Sequence, residues 1–137
     1  GGINGAPSSY NAYTCSKMSL VKMTELLARD YPQFIFLNVG PGWVDTPIHK
    51  QTLNAVDIVP EASAETIRRY NEQEFVPMET VTKTLIHLIE SADNNYSGRN
   101  FSVAANEVFL KNLPRLLKED PNLLKLRRYA GVLNEGH

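Results

Sequence analysis

This 137-residue sequence has only one cysteine, no apolar run of membrane length and no excess of one charge. Its single cysteine, Cys15, excludes an internal disulfide framework and fits a reducing compartment. No apolar run approaches the roughly 20 residues that a membrane span requires. A net charge of −1 gives no indication of nucleic acid or an acidic membrane surface as a partner. We therefore predict a cytoplasmic protein that binds neither nucleic acid nor membrane, with Cys15 as a buried structural thiol.

The length and composition are typical of one globular domain, with 42% hydrophobic and 21% charged residues. A strand–helix–strand connection of the observed length indicates two parallel strands, so the predicted class is α/β, helix-rich with about two strands. The pattern of apolar residues predicts four helical segments, over 13–30, 62–71, 77–91 and 107–131, of which the second is polar and the last breaks at Pro114. It also predicts a strand buried on both faces over 34–39 and a second strand over 99–104. The apolar stripe of the third helix consists of Val81, Leu85, Leu88 and Ile89.

Tyr13 and Lys17 are four residues apart, so a helix places both side chains on one face. A tyrosine is a poor acid or base near neutral pH, but an ammonium held beside its hydroxyl favours the phenolate. Such a pair could take a proton from an alcohol or give one to a carbonyl. The spacing alone is equally typical of a solvated helix face.

The residues before Tyr13 form a predicted loop, and Asn11 or a preceding serine is the predicted cap of the helix that follows it.

A second candidate segment, Gly40-Pro41-Gly42, directly follows the first predicted strand. In open α/β sheets, ligands bind beyond the carboxyl ends of the strands. Glycine at such a place allows a close approach of the backbone to a flat ring, and proline fixes the turn. The alternative is a plain turn after a strand.

These motifs, taken together and in this order, resemble the C-terminal half of the short-chain dehydrogenase/reductase family. The resemblance covers residues 1 to about 104, and residues 105–137 would be a helical tail of the same single domain. It implies the C-terminal part of a doubly wound, Rossmann-like parallel sheet. The residues that carry it are Tyr13-x-x-x-Lys17, the strand over 34–39, Pro41-Gly42-x-Val44-x-Thr46, and the segment 96–103, which is similar to the family's last strand.

The resemblance also implies an activity, in which a hydride passes between the nicotinamide of NAD or NADP and a carbonyl or secondary alcohol. Tyr13 would be the acid/base, and Lys17 would activate it and hydrogen-bond the nicotinamide ribose. The substrate would be a small molecule, and a faint likeness of the tail to sugar-metabolising members implies a sugar-related one. The family's oligomer contacts imply a homo-oligomer. The residues implied to border the nicotinamide are Pro41, Gly42 and Val44, with Thr46 near its carboxamide.

Two features of the family are missing from the sequence. No Gly-x-Gly-x-x-Gly or Gly-x-x-x-Gly-x-Gly loop is present to cradle a cofactor pyrophosphate. The family's serine usually lies about a dozen residues before the tyrosine, a position that falls at or just before Gly1, and Ser8 and Ser9 lie too close to Tyr13 to match it. We therefore expect the back half of an enzyme, and the alternative is a catalytically inactive, self-associating fragment with exposed strand edges.

Two other groups of side chains are candidates for an anion site and a metal site. Lys125, Arg127 and Arg128 form a basic cluster that could meet a phosphate or sugar phosphate, although a solvated helix face explains it as well. The three histidines are scattered, and no Cys/His spacing typical of a zinc site occurs. No metal is predicted.

Overall fold

The computed structural model describes residues 10–105 and 107–127. Two parallel strands pair from Leu37 opposite Arg99 to Gly40 opposite Ser102. The predicted α/β class and the parallel strand pair are therefore confirmed. In the described part of the chain, no helix is both long enough and apolar enough to cross a membrane. The elements in chain order are α1 (Asn11–Asp30), β1 (Leu37–Gly40), α2 (Ile48–Leu53), α3 (Pro60–Glu72), α4 (Met78–Ser91), β2 (Arg99–Ser102) and α5 (Glu107–Glu119).

The start of α1 differs from the prediction, because the helix begins at Asn11 and Tyr10 occupies the cap position without a side-chain cap hydrogen bond. The predicted cap at Asn11 is therefore wrong. The amide of Thr14 instead donates to the Tyr10 carbonyl oxygen at 2.8 Å, which closes the first turn through the backbone alone. The predicted caps at the preceding serines and the rest of the loop, residues 1–9, lie outside the described residues.

The first strand is shorter and less buried than predicted. Phe34 and Ile35 are 58% and 42% exposed, so the segment is not buried on both faces. Pairing begins only at Leu37, because Phe36 is still held by the turn before β2. Its N–H donates to Ser97 Oγ at 3.1 Å, and its carbonyl oxygen accepts from Gly98 at 2.8 Å. Burial on both faces requires a layer on each side of a strand, and the exposure of Phe34 and Ile35 shows that the start of this segment is not covered in that way.

The tail also departs from the prediction, since α5 continues through Pro114 and ends at Glu119. A proline inside a helix removes the hydrogen bond to the carbonyl four residues earlier, here that of Leu110. Packing outweighs this loss, because Leu113 and Leu117 are 0% and 2% exposed. One turn of separation places both side chains on the same face of α5. The helix is thus held by the core on either side of the proline.

The main core lies where α4, β2 and α5 meet. The buried face of α4 is formed by Val81, Thr84 and Leu88. The predicted apolar stripe was partly wrong, because Leu85 and Ile89 are 36% and 67% exposed. The threonine hydroxyl replaces an apolar group by donating to the carbonyl of its own helix four residues earlier, at 2.9 Å. The buried cluster consists of Leu88, Tyr96, Phe101, Leu113 and Leu117, and a second one of Val44, Val81 and Val103.

A buried arginine fastens the tail to β2. Arg99 is 3% exposed, and its guanidinium donates to the carbonyl oxygens of Asn95 and Leu123, and at 3.5 Å to that of Leu117. Beside it, the N–H of Asn100 donates to the Leu124 carbonyl at 2.9 Å. Burial lowers the pKa of Arg99 from its ordinary value. A planar fork with five donors can satisfy several carbonyls at once, which suits a helix end with orphan acceptors.

The direction of α1 relative to the strands follows from its two ends. Near its last turns, the Cβ that Gly98 lacks would lie 3.0 Å from Ala28 Cβ, and Gly98 has a φ of +76°. Glycine therefore lets the turn before β2 approach the helix closely. At the first turn, Tyr10 Oη lies 2.8 Å from Oγ1 of Thr52 in α2, the helix that follows β1. The helix thus starts at the carboxyl end of the sheet and finishes at its amino end.

Candidate functional site

The first turns of α1 carry the predicted tyrosine–lysine pair. Tyr13 and Lys17 are both exposed, and the Lys17 ammonium lies 5.3 Å from the centroid of the Tyr13 ring. The two side chains are therefore neighbours on one helix face. A cation at this distance from a ring is attracted by the negative face of its π system, by about 0.5–1 kcal/mol at exposed sites. This contact keeps the ammonium near the tyrosine.

A neighbouring tyrosine connects this pair to the rest of the carboxyl end of the sheet. The rings of Tyr10 and Tyr13 meet edge to face with centroids 5.8 Å apart. Tyr10 is itself held by the hydrogen bond between its hydroxyl and Thr52 of α2. The Tyr13 ring is therefore positioned by contacts with both Tyr10 and Lys17.

The Pro41-Gly42 turn follows β1 at the same end of the sheet, and both residues are exposed. Gly42 has a φ of +77°, the left-handed region that glycine adopts without cost. A Cβ at this position would lie 2.9 Å from Cγ2 of Val76. Just beyond, the Val76 N–H donates to the Trp43 carbonyl oxygen at 2.6 Å. The turn is thus packed tightly against the segment between α3 and α4.

We expect Gly42→Ala to destabilise the fold by at least about 1–2 kcal/mol, because a side chain is strained in the left-handed region and this one also meets Val76. The measurement is the free energy of unfolding in urea. The matched control is Gly40→Ala, whose new Cβ has only an ordinary contact, 3.8 Å from the Phe101 carbonyl oxygen. Equal stabilities of the two variants would contradict the strain at Gly42.

The other two predicted cofactor residues hold this turn to the core and to α2. The Val44 side chain is buried with Val81 and Val103, and the Val44 carbonyl oxygen lies 2.8 Å from Nε2 of His49. Thr46 is half-buried, and its carbonyl oxygen accepts the His49 N–H at 3.2 Å as α2 begins. The side chain of Val44 has most of its surface packed already. Contacts of Val44 and Thr46 with a nicotinamide stay predictions.

An aromatic cluster beside the Pro41-Gly42 turn was not found by sequence reasoning. The Trp43 and His49 rings stack with centroids 4.7 Å apart and an angle of 3°. Phe75 lies 4.7 Å from Tyr70, and 6.0 Å from His49. Above the indole, the Arg69 guanidinium carbon is 4.6 Å from the Trp43 ring centroid. The residues come from separate segments of the chain, so no spacing in the sequence indicates the cluster.

Polar contacts hold α3 against this cluster. The Tyr70 hydroxyl donates to Oδ1 of Asp45 at 2.9 Å, and this hydrogen bond to a carboxylate raises the pKa of Tyr70. Arg69 is oriented by its Nε, which lies 2.7 Å from Oε1 of Glu65. The region between β1 and α4 therefore forms a wall of half-buried aromatic rings and charged side chains, next to the turn that the resemblance assigns to the cofactor.

The remaining candidate residues from the sequence are Cys15, two serines, the basic cluster and the histidines. Cys15 is exposed, so the prediction of a buried thiol is wrong; one turn further on, Ser19 uses its hydroxyl to bond the Cys15 carbonyl at 2.9 Å. Ser8 and Ser9 lie outside the described residues, as does Arg128 of the basic cluster. Across residues 10–105 and 107–127, no group of three or more His, Cys, Asp or Glu side chains could hold a metal ion.

Comparison with known proteins relates part of this α/β chain to a dehydrogenase. The relative is the (+)-neomenthol dehydrogenase of Capsicum annuum, which is 42% identical over 48 residues. The matched stretch makes up 35% of this chain and 15% of the length of that relative. No protein-family model matches the chain, and no solved structure matches it.

Proposed function

We propose that this chain is the catalytic part of an NAD(P)-dependent oxidoreductase of the short-chain dehydrogenase/reductase family, acting in the cytoplasm. The observation that carries the proposal is the exposed Tyr13–Lys17 pair, with the ammonium 5.3 Å from the ring centroid. The partial similarity to a dehydrogenase supports it. In this role the Tyr13 hydroxyl gives a proton to a carbonyl oxygen, or takes one from an alcohol, and the positive charge of Lys17 stabilises the phenolate form.

The residues present fit one part of the implied cofactor, which when bound supplies or accepts the hydride. Pro41 and Gly42 are exposed at the carboxyl end of β1, which is where ligands bind in open α/β sheets. Thr46 follows within the same turn, and Lys17 would hold the nicotinamide ribose. The sequence contains no glycine-rich motif of the kind with which the family binds the pyrophosphate at a helix start.

The substrate class follows from the chemistry of the pair and from the wall beside it. A tyrosine that moves a proton to or from oxygen suits a carbonyl or a secondary alcohol. The relative is named for neomenthol, a secondary alcohol, which supports the same class. The half-buried rings of Trp43 and Phe75 favour an apolar body over the sugar-related substrate that the tail resemblance implies.

A second candidate is a catalytically inactive chain that self-associates. Several large apolar side chains are uncovered, among them Met23 at 49% on α1 and Ile35 at 42% before β1. Within the described residues, β1 pairs on one edge only, with β2. A free strand edge beside apolar side chains invites pairing with another copy. A homo-oligomer formed in this way is compatible with either candidate.

Calorimetric titration of residues 1–137 with NADH and NADPH tests both candidates. We expect no binding tighter than about millimolar, because the amides that bind pyrophosphate are absent. The control is a Tyr13→Phe, Lys17→Ala double variant, and sedimentation of the same samples gives the number of copies. Micromolar binding that the double variant loses would overturn the inactive candidate. Micromolar binding that the double variant keeps would contradict the assignment of Tyr13 and Lys17.

A further inference from the structure

An open groove of about 450 Å³ lies at the opposite end of α1 from the tyrosine–lysine pair. It is bounded by the last turns of α1, the turn before β2 and the segment after α5. Eight residues separate Lys17 from Glu25, which corresponds to about 12 Å along a helix at a rise of 1.5 Å per residue. The groove is therefore a separate place on the molecule. The polar side chains in its wall include Lys22, Glu25, Arg29, Ser97, Lys125 and Arg127.

The wall of the groove is strongly basic in a chain whose net charge is −1. Four of its side chains are cationic, and one is a carboxylate, that of Glu25. This carboxylate is already saturated, since it accepts from Lys22 Nζ at 2.8 Å, from Arg127 Nη1 at 2.7 Å and from the Leu126 N–H at 2.5 Å. Burial acts to raise the pKa of Glu25, but these hydrogen bonds outweigh it and hold the pKa below its ordinary value. Glu25 thus stays charged and organises the cations.

Arg127 and Lys22 are held in place and still have unused hydrogen-bond donors. The Arg127 Nε donates to Asn122 Oδ1 at 2.8 Å while its Nη1 is on Glu25, which fixes the plane of the guanidinium. Its side chain is 41% exposed and that of Lys22 is 50% exposed, so both still face solvent. An ammonium has three donors and a guanidinium five, so each has N–H groups beyond those used.

Lys125 is the cation of the groove that forms no ion pair among the described residues. In the part of the chain that the structure describes, no carboxylate lies within 4 Å of its ammonium, although the side chain is half-buried. Burial, together with the nearby charges of Arg99 and Arg127, lowers the pKa of Lys125, and the charge of Glu25 opposes this shift only in part. A lysine placed among other cations and partly removed from water gains the most from an added anion.

We propose that this groove binds a small dianion, inorganic phosphate or a phosphate monoester, through Lys125, Arg127 and Lys22. Phosphate oxygens accept charge-assisted hydrogen bonds from both ammonium and guanidinium groups, and a fixed guanidinium adds geometric selectivity. Ser97 also lines the groove, but its hydroxyl is engaged with the backbone of Phe34 and Phe36 and is not counted among the ligands. The site is independent of the proton chemistry at Tyr13.

The test is calorimetric titration of residues 1–137 with inorganic phosphate and with glycerol phosphate, at constant ionic strength set with chloride. We expect a Kd of about 1 mM or tighter for at least one of them. Lys125→Met keeps the apolar stem and removes the charge, and should weaken binding at least tenfold. The matched control is Lys83→Met, which removes an exposed lysine on α4 and should leave binding unchanged. Tighter binding of the ester would identify a phosphorylated metabolite as the ligand, and tighter binding of phosphate the free ion.

Three outcomes would overturn the proposal. The first is no heat beyond that of chloride, and the second is equal affinity of Lys125→Met and the unmodified chain. The third is equal weakening by Lys83→Met, which would show only a general effect of net charge. Lys22→Met provides a second test of the phosphate affinity. It should also weaken binding, and it leaves the ion pair between Arg127 and Glu25 in place.

Discussion

Removal of the Tyr13 hydroxyl should lower the rate of carbonyl reduction by about two to four orders of magnitude, the usual contribution of a positioned general acid. The variant is Tyr13→Phe, which keeps the ring under the Lys17 ammonium and its edge contact with Tyr10. The measurement is the initial rate of NADH or NADPH oxidation with a panel of cyclic ketones. It is made on the full natural polypeptide that carries residues 1–137.

The matched control is Tyr10→Phe, which removes a hydroxyl from the turn before and breaks its bond to Thr52. Because Tyr10 only positions its neighbour, this variant should lose much less activity than Tyr13→Phe. Lys17→Met should lose as much as Tyr13→Phe, since the phenolate then lacks its stabilising charge. Full activity in Tyr13→Phe would eliminate the tyrosine as the proton donor.

Replacing Arg99 with alanine should cost about 3 kcal/mol or more of unfolding free energy. The guanidinium donates to three backbone carbonyls, those of Asn95, Leu117 and Leu123, and buried acceptors left unpaired cost about 1–3 kcal/mol each. The measurement is guanidinium chloride unfolding, combined with amide hydrogen exchange across residues 113–127. Exchange in that segment should accelerate more than exchange in α1, because the arginine is what holds the tail to β2.

The control is Arg115→Ala on α5, which removes an exposed arginine that pairs with Glu119 at 2.7 Å. An exposed pair of this kind contributes about 0.3–0.5 kcal/mol, so its loss should leave the midpoint nearly unchanged. Arg99→Lys should recover only part of the stability, because one ammonium cannot reach three separated carbonyls. A loss at Arg99 as small as that at Arg115 would show that water replaces the guanidinium.

The elements set by local patterns could be predicted from the sequence. The periodicity of α1 and α4 and the apolar segment before Gly40 located two helices and a strand, and the connection length gave the parallel pairing. The features that failed depend on tertiary contacts. The helix through Pro114 is held by two buried leucines, and the exposure of Ile89 depends on which face of α4 meets β2.

The same limit applies to the candidate site. Tyr13 and Lys17 could be paired from their spacing, because a helix turn is a local rule. The stacking of Trp43 on His49 and the approach of Arg69 to the indole join three segments of the chain, and no local rule relates them. The groove is similar, since Lys22 and Arg127 are brought to one carboxylate across about a hundred positions of sequence.

The attachment of the tail to β2 has a consequence for how this protein can vary. Arg99 binds only main-chain oxygen atoms, which every amino acid supplies. At the positions that provide these acceptors, the polar part of the attachment therefore places no demand on side-chain identity. Leu117 must still fill the core, and Leu123 and Leu124 must still pack against it, so the freedom concerns only the exposed positions of the tail. A single arginine thus attaches the tail without specifying its exposed side chains, and changes at those positions would carry little penalty in stability.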